Sequence, residues 1–200
     1  MALSKMMNST PPFILASSSP RRRALLRDVG FNFDVIAIEV NEVPPEGLSP
    51  TEVVEHLAHR KLLACTEWRA KFLVITADTL VFKDSTILGK PNDRPQAIEM
   101  LNILSNGKHK VATSVCLGYQ KQYHQFTVST IVDFAPLSSD EINYYVDHYM
   151  PFDKAGSYGI QEWIGQIGIR KIEGSYTNVV GLPMHETYHA IVNLSKKWIP

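Results

Sequence analysis

Net charge is missing from this chain: 20 Lys and Arg are balanced by 20 Asp and Glu over 200 residues. Proteins that grip nucleic acid through its phosphates carry a basic excess, so the zero balance argues against a general nucleic-acid binder and leaves room for a small local basic pocket. Cysteine is scarce. Cys65 and Cys116 are the only two, and neither has a partner at metal-ligand spacing. They read as buried free thiols of a reducing compartment, with a disulfide between them as the alternative. No run approaches the roughly 20 apolar residues of a membrane span. The polar opening MALSKMMNST leads into no signal-peptide core. A cytoplasmic protein with no membrane and no nucleic-acid partner is therefore expected. Several chemical signatures are also lacking. There is no G-x-x-x-x-G-K-[ST], no G-x-G-x-x-G and no G-x-S-x-G. P-loop NTPases, Rossmann dinucleotide sites and serine hydrolases of the nucleophile-elbow type drop out with them. His56 and His59, three apart on one helix, read as surface residues rather than a metal pair.

What is present suffices for a core: 44% of residues are apolar and 20% charged, as in ordinary soluble domains. Residues 13–16 read as a short buried strand. Ser19 caps a helix that starts at Pro20, carries Leu25, Leu26 and Val29 inward, and ends at Gly30. FDVIAI reads as a second strand. SPTE at 49–52 is a capping box before Val53, Val54, Leu57, Ala58 and Leu62 at helical spacing. KFLVITA and TLVF form one long strand. A helix starts near Pro95, and two paired strands follow, KVATSVCLGY and YHQFTVSTIVDF. Ser138 and Glu141 make a second capping box. Two Gly-rich turns, a strand near 166–172, another near 176–180, and a last helix after Pro183 complete the chain. Strands and helices alternate and a hairpin interrupts them, which predicts an α/β fold with a mixed sheet.

Three stretches can carry chemistry. In ASSSPRRR, three serines and three arginines meet a helix N-terminus, where unpaired N–H groups favour an anion. The same letters also describe a Ser-Pro cap followed by solvated arginines. Helical side chains diverge by about 100° per residue, so one ligand cannot meet all three; Arg21, nearest the tip, is the first candidate. In VITADTLVF, Asp78 interrupts a buried run, and an ionised Asp is rarely buried without a partner. It either ends the strand in a turn or faces a metal or a cation. LGKP at 88–91 follows one hairpin turn later and returns Lys90 to that region, or else marks the end of a strand. In DKAGSYGIQ, Gly156 and Gly159 allow a sharp turn or a close approach to a ligand, and the Gln161 amide suits a planar base edge.

Taken in order, ILASSSPRR, LAHRKLLA, ITADTLV, LGKPND, DKAGSYGIQ and GSYTNVVGLP resemble the Maf family of nucleoside triphosphate pyrophosphatases, from about residue 13 to 194. The resemblance implies an α/β fold with a mixed twisted sheet, flanking helices and two lobes around a central cleft, related to inosine triphosphate pyrophosphatases. It implies one domain over 13–195 behind a flexible extension, 1–12. It implies hydrolysis of the α–β phosphoanhydride, a divalent cation (Mg²⁺ or Mn²⁺) and a homodimer. Carried over by position, Asp78 matches the proposed base, with Lys61 and Lys90 as its catalytic companions. Ser17, Arg21, Thr79 and Gln161 match substrate-binding positions, and Asp78 with Glu42 would hold the metal. Arg21, Thr79 and Gln161 match the branch acting on dTTP and UTP. The alternatives are the sister branch, active on 7-methyl-GTP and related nucleotides, and a nucleotide-sensing regulator of cell division with little turnover. One departure stands out: the family pattern continues with glycine after GIQ, whereas Glu162 and Trp163 follow in this chain, a bulky pair that would narrow the base pocket or change its preference.

Overall fold

A computed structural model of the protein describes residues 11–198. The expected N-terminal extension, 1–12, lies outside them apart from its last two residues. The elements run β1 (Phe13–Ala16), α1 (Pro20–Asp28), β2 (Phe33–Ile36), α2 (Pro50–Leu63), α3 (Thr66–Arg69), β3 (Leu73–Lys83), β4 (Thr86–Leu88), α4 (Arg94–Leu104), β5 (Lys108–Tyr119) and β6 (Gln122–Phe134). Then come α5 (Ser139–Tyr149), a single 3₁₀ turn (Ala155–Ser157), α6 (Trp163–Gly168), β7 (Ile169–Glu173), α7 (Tyr176–Val180) and α8 (Met184–Trp198). The sheet is mixed, in the order β2-β1-β3-β5-β6-β7 with β4 beside β3. β1 is parallel to β2 and β3, whereas β4 is antiparallel to β3 and β7 to β6. The mixed α/β fold expected from the sequence is thus observed. No helix among the described residues is long and apolar enough to cross a membrane.

The helix starts follow local chemistry. Ser19 Oγ accepts from the Arg22 N–H, and Pro20 supplies the preset first φ. Ser49 with Glu52 and Ser138 with Glu141 form the two reciprocal capping boxes. Three expectations need correction. The strand expected near 176–180 is the short helix α7. Its β-branched letters favour a strand, but Ser175 Oγ caps the Asn178 N–H at 3.2 Å. The buried Asn178 amide then donates to Val111 O and Thr130 Oγ1, both at 2.9 Å. The strand expected at 166–172 begins only at Ile169, after α6. A Cβ on Gly165 would lie 2.1 Å from Ile160 O, so this glycine lets α6 close against the backbone of the turn before it. The FDVIAI strand ends at Ile36.

The chain divides into two compact units. The first holds residues up to Asp78, Thr113–Thr127 and the segment from Gly181 onward; the second holds Thr79–Ala112 and Val128–Val180. In the first unit, β1 is buried on both faces, as parallel strands are. Phe13 and Leu15 join Leu26, Leu73, Ile75, Leu182 and Ile191, while Ile14 and Ala16 join Ala58, Leu62, Cys65, Val74 and Cys116. In the second unit, Ile142, Tyr145 and Val146 of α5 and Leu101 and Leu104 of α4 are buried. Arg94 ties these two helices by a forked bond to Asp147, at 2.6 and 2.9 Å.

Candidate active site

Asp78 is placed by strand parity. Leu73, Ile75 and Ala77 face one cluster, so Val74, Thr76 and Asp78 face the other, where α2 packs. The alignment is fixed by Thr76 Oγ1, which donates to Ala58 O at 2.9 Å. One helical turn beyond Ala58 on that face stands Lys61. Its ammonium donates to Asp78 Oδ1 at 2.5 Å and meets Glu42 Oε1 at 2.8 Å. The Lys61 and Asp78 side chains are 14% and 11% exposed, against 51% for Glu42. The cluster is therefore sheltered at Asp78 and open at Glu42. Two carboxylates converge on one cation.

That donor set fits a divalent ion. Mg²⁺ takes hard oxygen ligands, usually one or two carboxylates, and completes its shell with substrate phosphates and water. The Lys61 ammonium is a stand-in cation already within reach of both carboxylates. No group of three or more His, Cys, Asp or Glu able to hold a metal occurs among the described residues. A metal bound by Asp78 and Glu42 would complete its shell with water and substrate oxygens.

The three arginines separate by helical phase. Arg22 lies four and seven residues before Leu26 and Val29, so it shares the core-facing side of α1. Its Nε donates to Gly181 O and its Nη1 to Ala77 O, both at 2.8 Å, with Ser17 Oγ at 3.4 Å. Burial lowers the guanidinium from its ordinary value, while the charge of Asp78 pulls it up again. Arg22 thus braces the peptide just before Asp78, and this role was missed in the sequence. The signal was available in its spacing from Leu26 and Val29. Ser17 is buried and also accepts the Ser19 N–H at 3.2 Å. Arg21 lies partly buried on the first turn of α1.

Thr79, Lys90 and Gln161 belong to the second unit. Thr79 is partly buried, and Lys90 and Gln161 are exposed. The Gly156 N–H donates to Gly89 O at 3.0 Å, which ties the LGKP segment to the glycine loop. Gly156 has φ +68°, and a Cβ there would come within 2.8 Å of Val81. Its freedom lets the loop pack closely against Val81. Tyr158 anchors the loop by its hydroxyl to His109 Nε2 at 2.8 Å. Tyr145, fully buried, bonds both Glu162 and the Gly159 N–H. Burial and the Glu162 carboxylate push the Tyr145 hydroxyl far above the usual phenol range, so it stays a donor. Glu162 and Trp163 are both engaged within the unit. Glu162 also pairs with Lys154 at 3.1 Å, and the Trp163 ring meets Tyr144 edge-on at 5.0 Å.

The family model for Maf-like proteins matches residues 12–194. The chain belongs to the Maf family. A dTTP/UTP pyrophosphatase of Porphyromonas gingivalis is 46% identical over 185 residues, covering 89% of this chain and 92% of that protein. Relatives bearing the same name occur in Flavobacterium psychrophilum, 46% identical with 90% and 93% covered, and in Bacteroides thetaiotaomicron, 44% identical with 90% and 95% covered. Among solved structures, the Staphylococcus aureus Ham1 protein matches at a TM-score of 0.43 and 16% identity, over 62% of this chain and 72% of that one.

Proposed function

We propose that this Maf protein hydrolyses dTTP, UTP and modified pyrimidine relatives to the nucleoside monophosphate and pyrophosphate, using Mg²⁺ or Mn²⁺. The observation that carries the reading is identity of 44–46%, over about nine-tenths of the chain, to relatives named for that activity. The geometry of the first unit supports it, since Asp78, Lys61 and Glu42 form one charged cluster. Water attacks the α-phosphorus, the α–β bridging bond breaks, and pyrophosphate leaves. Asp78 takes the proton of the attacking water. Lys61 aims the Asp78 carboxylate and, with Arg21 and Lys90, neutralises the phosphate charge that builds on the leaving group. Ser17 donates to a phosphate oxygen. A divalent cation held by Asp78 and Glu42 would supply further neutralisation and acidify water. Thr79 and Gln161 read the base: the amide matches one acceptor and one donor of the uracil or thymine pairing edge.

The test is product identification with each nucleoside triphosphate, with and without Mg²⁺ or Mn²⁺. Monophosphate and pyrophosphate from dTTP and UTP are expected, and Asp78→Asn should cut turnover by at least about a hundredfold, as loss of a general base does. Release of inorganic phosphate and a diphosphate, or full activity in Asp78→Asn, overturns the assignment.

A further inference from the structure

Gln161 sits in the middle of a four-residue turn. The Glu162 N–H donates to Gly159 O at 3.0 Å, with Ile160 and Gln161 between them. Ile160 is 8% exposed and points the turn's apolar side into the protein, which leaves Gln161 at the surface. Both ends of this turn are gripped by one group. The Tyr145 hydroxyl accepts the Gly159 N–H at 3.0 Å and donates to Glu162 Oε2. The other Glu162 oxygen is held by the buried Lys154 ammonium at 3.1 Å, which also bonds Asp153 at 2.7 Å. Residue 159 has to be glycine for this. A Cβ there would lie 2.7 Å from Glu162 Cδ and push the carboxylate off the phenol.

The geometry points to Tyr145 as a positioning residue for base selection, acting on Gln161 through the Gly159–Glu162 turn. Gln161 has three side-chain torsions and is exposed, so its own packing does little to aim it. Hydrogen-bonded recognition demands placement within about 0.5 Å and 10–20°. The backbone from which Gln161 springs must supply that precision, and one buried phenol secures it at both ends. Glu162 is thereby a working part of the turn rather than an obstruction in a pocket. This inference rests on the reading of Gln161 as the base-reading residue.

The experiment compares kcat and KM for dTTP, UTP, CTP and GTP in wild type, Tyr145→Phe, Gln161→Ala, the double variant and Ile142→Val. Ile142 lies on the same helix, 1% exposed, and serves as a control for simple destabilisation. Tyr145→Phe should lower discrimination between UTP and CTP by about tenfold, the scale of one misplaced polar partner. The change should fall on KM, with kcat for the preferred substrate little altered. The double variant should lose no more than Gln161→Ala alone, because both act through one amide. Ile142→Val should leave the ratio untouched. An unchanged ratio in Tyr145→Phe, an equal change in Ile142→Val, or additive losses would overturn the proposal. If Tyr145→Phe does not fold, Glu162→Ala frees the other end of the turn and must give the same drop. If wild type turns over no nucleotide, the functional reading fails by itself. The NMR signals of the Gln161 side-chain amide then decide: they must shift or broaden in Tyr145→Phe and not in Ile142→Val.

Discussion

Replacing Lys61 by methionine keeps most of the stem and removes the charge that joins Asp78 to Glu42. The Lys61 and Asp78 side chains are 14% and 11% exposed, and breaking a buried pair from one side costs about 3–5 kcal/mol. The Glu42 contact adds little, because its side chain is 51% exposed and open pairs are worth about 0–1 kcal/mol. Arg22 also acts on Asp78, so the loss should sit at the low end, about 3 kcal/mol. For a chain of this size that is a fall in Tm of roughly 6–12 °C. The assay is urea and thermal unfolding of Lys61→Met, Asp78→Asn, Glu42→Gln and the Lys61→Met/Asp78→Asn pair. With the carboxylate gone there is no stranded charge, so the double variant should recover at least about 2 kcal/mol relative to the sum of the singles. Glu42→Gln should cost under about 1 kcal/mol. Stability of Lys61→Met equal to wild type, or strict additivity in the double variant, would refute the picture of a sheltered ion pair.

Two further outcomes follow from buried titratable groups. His109 is 3% exposed, and burial, with Lys83 second, lowers its pKa to about 4. The unfolded chain therefore takes up a proton below about pH 6.5 that the folded protein refuses until about pH 4. Stability should fall as pH drops through that window, by about 3 kcal/mol in total, and His109→Gln should flatten the urea-unfolding profile there; parallel profiles would contradict this. Burial pushes the Cys65 thiol up to about 11 and Cys116 to about 12. Neither should react with a disulfide reagent at pH 8 until denaturant is added, because the thiolate is the nucleophile; a fast native-state thiol would contradict the burial of both.

The pairing of Asp78 with Lys61 was open to inspection in the sequence. Asp78 breaks a buried run and needs a partner, and helical phase sets Lys61 with Ala58, Leu62 and Cys65 on one face. The Ser-Pro and capping-box helix starts were equally plain, because each is decided within four residues. Arg22 was passed over for Arg21 because distance to the helix tip was weighed above the apolar phase of α1. The helix α7 was unreadable for a different reason. Its letters favour a strand, and what decides is an Asn178 amide satisfied by Val111 and Thr130, 67 and 48 residues away. The Tyr145 contacts were hidden likewise, since a tyrosine in an amphipathic helix gives no sign of which backbone amide it will receive.

The first unit draws on both ends of the described chain, and Arg22 reaches Gly181 across 159 positions. Leu182, Met184 and Ile191 complete the same apolar cluster as Phe13 and Leu15. During synthesis, Asp78 leaves the ribosome long before β3, the strand that carries it, can be covered. A nascent chain halted short of Gly181 would expose oily strand surface and lack the Gly181 carbonyl that holds Arg22. Such contacts across long separations slow folding and leave half-made chains prone to aggregate. Competence should therefore arrive late and all at once, with the final helix.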